Sequence, residues 1–189
     1  LESSGGSSAS ALAQCATYAA NNGADILSMS VGGYGSSLAF ENALAYSYAF
    51  SIPVGAAGND GICIRNDGQL CPDGRPPAPM FPGAYTFVLA AQATQQNSGW
   101  NGYRAWFTNY DFDGPTFTDY PDDFNYEVYA PGLGIISAIP GNQYATWNGT
   151  SMACPAVAGA VAIHRAFRPN RTKEQVFVDF IQSWYDMSK

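Results

Sequence analysis

Charge is scarce in this chain of 189 residues. Only 12% of the residues are Asp, Glu, Lys or Arg, and the 8 basic side chains are outnumbered by 15 acidic ones, for a formal charge of −7. No basic footprint exists to neutralise a phosphate backbone, which excludes nucleic acid as a partner. Histidine occurs once, at His164, so an internal general base could come from one imidazole only. No uninterrupted apolar run reaches the roughly 18–20 residues that cross a bilayer, and the longest are broken by Gly, Ser and Asn. A membrane span is therefore not expected. Internal repeats and shifts of composition are also lacking, which points to one domain or part of one. Neither an initiator Met nor a charged-then-apolar leader precedes the Gly/Ser stretch at 1–10, so the chain reads as a piece of a longer one.

Apolar residues make up 47% of the chain, enough for a buried core and too many for a disordered segment. Residues 7–21 carry Ala, Leu and Tyr at helical spacing and stop at Asn22-Gly23. A short strand over 25–31 follows, then a helix over 36–50 and an apolar strand over 52–57 that ends at Gly58-Asn59-Asp60-Gly61. Further strands are expected at 86–93, 127–130 and 135–138, and helices at 151–167 and 173–183. Such alternation predicts an α/β domain with a mostly parallel sheet covered on both faces.

Two stretches fall outside this rhythm. Residues 62–80 form a Pro/Gly-rich loop in which Cys63 and Cys71 could form a local disulfide; the other reading is two ordinary thiols. Cys15 and Cys154 read as small buried hydrophobes. Residues 108–126 are aromatic and acidic, with Asp111, Asp113, Asp119, Asp122 and Asp123. Carboxylates at that density could hold a structural calcium ion, although no EF-hand spacing is present and a solvated acidic loop has the same composition.

The segment Asn148-Gly149-Thr150-Ser151-Met152-Ala153-Cys154-Pro155 puts a serine where a turn enters a helix, with its hydroxyl at the positive helix end. Helix capping by Thr150 or Ser151 would explain the same residues. Two further segments decide between these readings. Ser28-Met29-Ser30-Val31-Gly32-Gly33 and Val54-Gly55-Ala56-Ala57-Gly58-Asn59-Asp60-Gly61 stand upstream in order, and together the three motifs closely resemble those of the subtilisin-like serine proteases. Phe81-Pro82, Val88-Leu89-Ala90-Ala91 and Ala130-Pro131-Gly132 extend the resemblance over nearly the whole chain.

The resemblance implies a three-layer subtilisin-like α/β fold, with residues 1–189 forming the C-terminal portion of one catalytic domain and its N-terminal strands missing. It implies Ser151 as nucleophile of an endopeptidase and Asn59 as oxyanion donor. Ser30, Val31 and Gly32 would face Ala56, Ala57 and Gly58 as the two walls of the specificity pocket, with Met80 at its base. A shortened pocket that prefers small or medium side chains follows. Gly5, Gly6 and Ser7 would pair with one edge of an extended peptide substrate and Ser30 to Gly32 with the other, although Gly5 to Ser7 read equally well as linker.

The triad's histidine and aspartate belong to segments that precede these motifs in the family. His164 stands thirteen positions after Ser151, about 20 Å along the same helix, and cannot serve as base. Asp25 reads as a loop carboxylate. An upstream protease segment, in the same precursor or a second chain, is thus an expected partner, besides a protein or peptide substrate. No cofactor is required. Asn59 argues against the related sedolisin class, which carries an aspartate at the oxyanion position. An inactive, peptide-binding relative is the alternative from another class. The few charges and the candidate bridge Cys63–Cys71 favour a secreted or cell-surface setting.

Overall fold

A computed structural model describes residues 7–64, 70–71, 74, 76–95, 103–110 and 128–187. Their order is α1 (Ala9–Asn21), β1 (Ile26–Met29), α2 (Leu38–Tyr48), β2 (Ile52–Ala56), β3 (Leu89–Gln95), β4 (Tyr103–Arg104), β5 (Val128–Pro131), β6 (Ile135–Ile139), β7 (Gln143–Trp147), α3 (Thr150–Ala166) and α4 (Lys173–Met187).

The helices start where the side chains can satisfy their open N–H groups. Ser8 Oγ accepts from Ala11 N and Ser37 Oγ from Phe40 N. At α4, Gln175 N donates to Thr172 Oγ1 at 3.2 Å while Thr172 N donates to Gln175 Oε1 at 3.1 Å, a reciprocal capping box. Helix α1 ends as expected: Gly23 takes φ +81°, and Ala24 N reaches back to Ala19 O at 3.0 Å.

Strands β1, β2, β3 and β5 pair in that order, all parallel, and β4 adds an antiparallel edge to the far end of β3. Alternation sorts the core. Ile52, Val54 and Ala56 of β2, with Leu89, Ala91 and Ala93 of β3, join Val128 and Ala130 of β5 against α3 and α4. On the other face Leu27 and Val88 pack with Ala16 of α1 and Phe40 and Leu44 of α2. The result is the expected α/β arrangement of three layers.

Four expectations need correction or placement. The strand predicted over 86–93 begins only at Leu89, because 81–88 turn under the sheet, with Ala84 N on Met80 O and Val88 N on Tyr85 O. The short strand β4 and the hairpin partner β7 were not expected. Cys15 is exposed rather than buried, since the register of α1 turns Ala16 and Ala20 inward instead; Cys154 is buried as expected. The acidic residues at 111–123 lie outside the described residues, as do Gly5 and Gly6.

Among the described residues no helix is long and apolar enough to cross a membrane. Cys63 and Cys71 form the expected disulfide.

Candidate active site

In a parallel sheet the strands' C-terminal ends share one side of the molecule, and loops leaving them converge there. Ser30 follows β1 directly, and Asn59 stands three residues beyond β2. Both meet the first turn of α3.

That turn is built without a side-chain cap. Gly149 is the N-cap, at φ 154° and ψ 160°, and no side chain closes the helix start, so the capping reading of Thr150 and Ser151 does not apply. Backbone approach sets its position. Gly149 N donates to Gly132 O at 2.8 Å, and a Cβ on Gly132 would stand 2.5 Å from Ala93 Cβ and 2.8 Å from Gly149 O. Only glycine lets the end of β5 come this close to the turn.

Thr150 is buried at 1% exposure and joins the helix to the β2 loop. Its hydroxyl accepts from Gly58 N at 3.0 Å and donates to Asn59 Oδ1 at 3.0 Å, and its backbone N–H donates to the same Oδ1 at 2.8 Å. A backbone N–H can only donate, so the Asn59 atom facing it must be the oxygen. The carboxamide is thereby oriented, with its NH₂ group turned from Thr150 and left to donate elsewhere. Asn59 thus bonds to a residue 91 positions away instead of closing its own turn, as a simple turn asparagine would.

Ser151, partly exposed, is the next helical residue. Four residues on, Pro155 has no N–H, so the Ser151 carbonyl loses its intrahelical partner. Ser30 Oγ donates to that carbonyl at 2.8 Å instead, which ties the turn to the end of β1. Beneath it the Cys154 sulfur lies 3.6 Å from Ser28 Oγ and 3.5 Å from Val54 O. Burial pushes this thiol up from its ordinary pKa, so it fills space between β1, β2 and α3 in its protonated form.

The remaining predicted residues stand on two chain segments with Met80 between them. Ser30 and Gly32 are exposed and Val31 half-buried on one side; Ala56, Ala57 and Gly58 are buried on the other. Reciprocal bonds of 2.9 Å between Gly33 and Phe81 carry the Met80 segment under the first wall. A Cβ on Gly32 would meet Met80 Cε at 2.6 Å, and one on Gly58, at φ +104°, would meet Met80 Sδ at 2.2 Å. Ser7 stands just ahead of α1, and Gly5 and Gly6 are outside the described residues.

Three residues of this region were not singled out from the sequence. In sequence Thr150 reads only as a cap; the fold makes it the link between α3 and Asn59. Asn109, fully buried, and Tyr34 carry no local sequence signal, since their partners are distant in the chain.

Neither His164 nor Asp25 takes part. His164 is near the other end of α3, with Arg168 Nη1 3.3 Å from its Nδ1 and the Phe180 ring edge-on at 5.7 Å. Partial burial and Arg168 hold its pKa below the ordinary value. Asp25 precedes β1, at the opposite end of the sheet from Ser30, and pairs with Lys173 and, at 4.0 Å, with Arg165. The hydrogen bond from Lys173 lowers its pKa more than burial raises it.

A parallel α/β sheet whose strand ends meet a helix opened by Gly-Thr-Ser has close counterparts among solved structures. Sphericase superposes with a TM-score of 0.73 at 25% identity over 95% of this chain and 56% of its own, and S41 psychrophilic protease with 0.74 at 26% identity over 93% and 55%. The chain belongs to the subtilase family of serine proteases, whose sequence model matches residues 1–186. Among curated relatives, alkaline elastase YaB of Bacillus sp. (strain YaB) is 35% identical over 177 residues, which are 93% of this chain and 39% of that protein. Subtilisin DY of Bacillus licheniformis is 34% identical over the same share of this chain and 55% of its own length. The chain therefore spans about two-fifths of the first of these relatives and little more than half of the second.

Proposed function

We propose that this chain is the C-terminal portion of the catalytic domain of a serine endopeptidase, and that Ser151 attacks the peptide carbonyl to form an acyl-enzyme. The observation that carries the reading is the double hydrogen bond from Thr150 to Asn59 Oδ1, one residue before the serine. It supports a role for the Asn59 NH₂ and the Ser151 N–H as the two donors that hold the tetrahedral oxyanion, because donors aimed before reaction need no reorganisation when charge develops. Between the walls 30–32 and 56–58, the side chain preceding the scissile bond would enter and meet Met80, which favours small or medium residues.

The attack leaves a proton to be accepted, and no residue near Ser151 among those described serves. The base and its orienting carboxylate are assigned to an upstream segment carrying His and Asp, in the same precursor or a second chain. No cofactor enters the chemistry, and a structural calcium ion at the acidic residues 111–123 remains part of the proposal. The disulfide Cys63–Cys71 favours a secreted or cell-surface protein.

A serine-directed phosphonate tests the reading. The intact protein, upstream segment included, should be labelled at Ser151, and the isolated chain should not. An intact protein that takes no label but binds peptides would instead be an inactive relative that keeps the cleft.

A further inference from the structure

The two wall segments are also joined by a hydrogen-bond network that the proposed chemistry does not use. Asn109 is fully buried, and all four of its hydrogen-bonding positions are taken. Its Oδ1 accepts from Asp60 N at 2.9 Å and Ile62 N at 3.3 Å. Its Nδ2 donates to Ala57 O at 3.0 Å and to Tyr34 Oη at 2.9 Å, with Met80 Sδ at 3.6 Å. Tyr34 Oη accepts from Asn109, so its own proton goes to the carboxylate of Asp60. Tyr34 follows the first wall and Asp60 follows the second. The tyrosine therefore spans from one wall to the other, beside the sulfur of Met80.

We propose that Tyr34, tied across the cleft by Asp60 and Asn109, is a specificity-determining residue that together with Met80 limits the pocket to a small, uncharged side chain such as that of Ala or Ser. The inference rests on the peptidase reading of the cleft and sharpens its expectation of small or medium residues. Met80 fills the space between Gly32 and Gly58 from below. With its hydroxyl held by Asp60 and Asn109, Tyr34 crosses between the two wall segments and leaves less room for a longer side chain. The tether also occupies Asp60, whose carboxylate would otherwise offer a counter-charge to Lys or Arg. Burial, and then the bond to Asp60, push the Tyr34 phenol up to about 12, so the tether keeps its proton over the neutral and alkaline range.

Tyr34 is 45% exposed and belongs to none of the hydrophobic clusters, but its hydroxyl is an acceptor for buried Asn109, so unfolding curves of both variants accompany the assay and show that the folded proteins are being compared. The test compares the intact protein with Tyr34→Ala and Tyr34→Phe on tetrapeptide anilides that differ only in the residue before the scissile bond: Ala, Leu, Phe or Lys. The wild type should prefer Ala. Tyr34→Ala should raise the Leu-to-Ala and Phe-to-Ala ratios of kcat/KM about tenfold or more, the size of effect that one or two methylenes have in such pockets. Tyr34→Phe, which keeps the ring and loses the tether, should shift them in the same direction by less. Unchanged ratios in both variants of a cleaving enzyme would overturn the inference while leaving the peptidase reading in place. If the wild type binds these peptides without cleaving them, the peptidase reading fails, and the same ratios measured as Kd decide the inference. A wild type that neither cleaves nor binds any of them overturns both.

Discussion

Replacing Thr150 with Val separates the two jobs of one buried hydroxyl. The substitution keeps size and branching and removes only Oγ1, which accepts from Gly58 N at 3.0 Å and donates to Asn59 Oδ1 at 3.0 Å. At 1% exposure no water can replace it, so the Gly58 N–H is left buried without an acceptor. A buried donor stranded in this way costs about 1–3 kcal/mol, whereas the Asn59 oxygen keeps the Thr150 backbone N–H at 2.8 Å. Urea unfolding should therefore show a loss of about 1–3 kcal/mol with an unchanged m-value. Phosphonate labelling of the intact protein should slow by a smaller factor than in Asn59→Ala, because the carboxamide keeps one of its two restraints. A Thr150→Val protein within about 0.5 kcal/mol of wild type would show that the Gly58–Thr150 bond contributes nothing net, and the account of this junction would fail.

Other substitutions probe the rest of the molecule. Asn59→Ala should lower kcat of the intact enzyme by about 10²–10³ with little change in KM, since the donor acts on charge that exists only in the transition state; an equal change in KM alone would count against an oxyanion role. Gly32→Ala should cost under about 1 kcal/mol in urea unfolding, because the atom its Cβ would meet, Met80 Cε at 2.6 Å, is the free end of a flexible side chain that can swing aside; a loss of several kcal/mol would show that Met80 is held rigidly in place. Lys173→Ala should cost under about 1 kcal/mol at neutral pH, because Asp25 is 63% exposed and the pair is screened. The pKa of Asp25 is lowered in the folded protein, so its stabilisation is present above the ordinary value of 3.8 and fades as the pH falls below it; melting curves of wild type and variant should converge in that acid range. A difference that grows in acid would contradict the assignment. Replacing Cys63 and Cys71 with Ser opens a short loop and should cost about 2–3 kcal/mol on chain-entropy grounds.

The order of elements was legible because local patterns carry it. Alanines at helical spacing closed by Asn22-Gly23, and the apolar run at 52–57 closed by Gly58, need no partner to declare themselves. The three glycine-rich motifs were equally readable, since each demands small residues where a backbone must come close. Spacing allowed either a bridge between Cys63 and Cys71 or two thiols, and the fold brings the two sulfurs together as a bridge. Where pairing or burial depends on distant residues, the pattern misled. Residues 86–88 read as the start of a strand in apolar content yet belong to a turn, and Cys15 looks buried until the register of α1 points it outward.

The proposed chemistry was therefore legible in residue types, while its geometry waited for the fold. Ser151 and Asn59 could be read as partners, but what holds them was invisible: a threonine hydroxyl shared with Gly58, and a carbonyl freed by Pro155 and taken up by Ser30. Asn109 and Tyr34 have no motif at all. Their roles come from hydrogen bonds spanning 26 to 75 positions of sequence. Short-range preferences act along the chain and leave a local trace; hydrogen bonds between remote segments act through space, and only folding brings their two ends together.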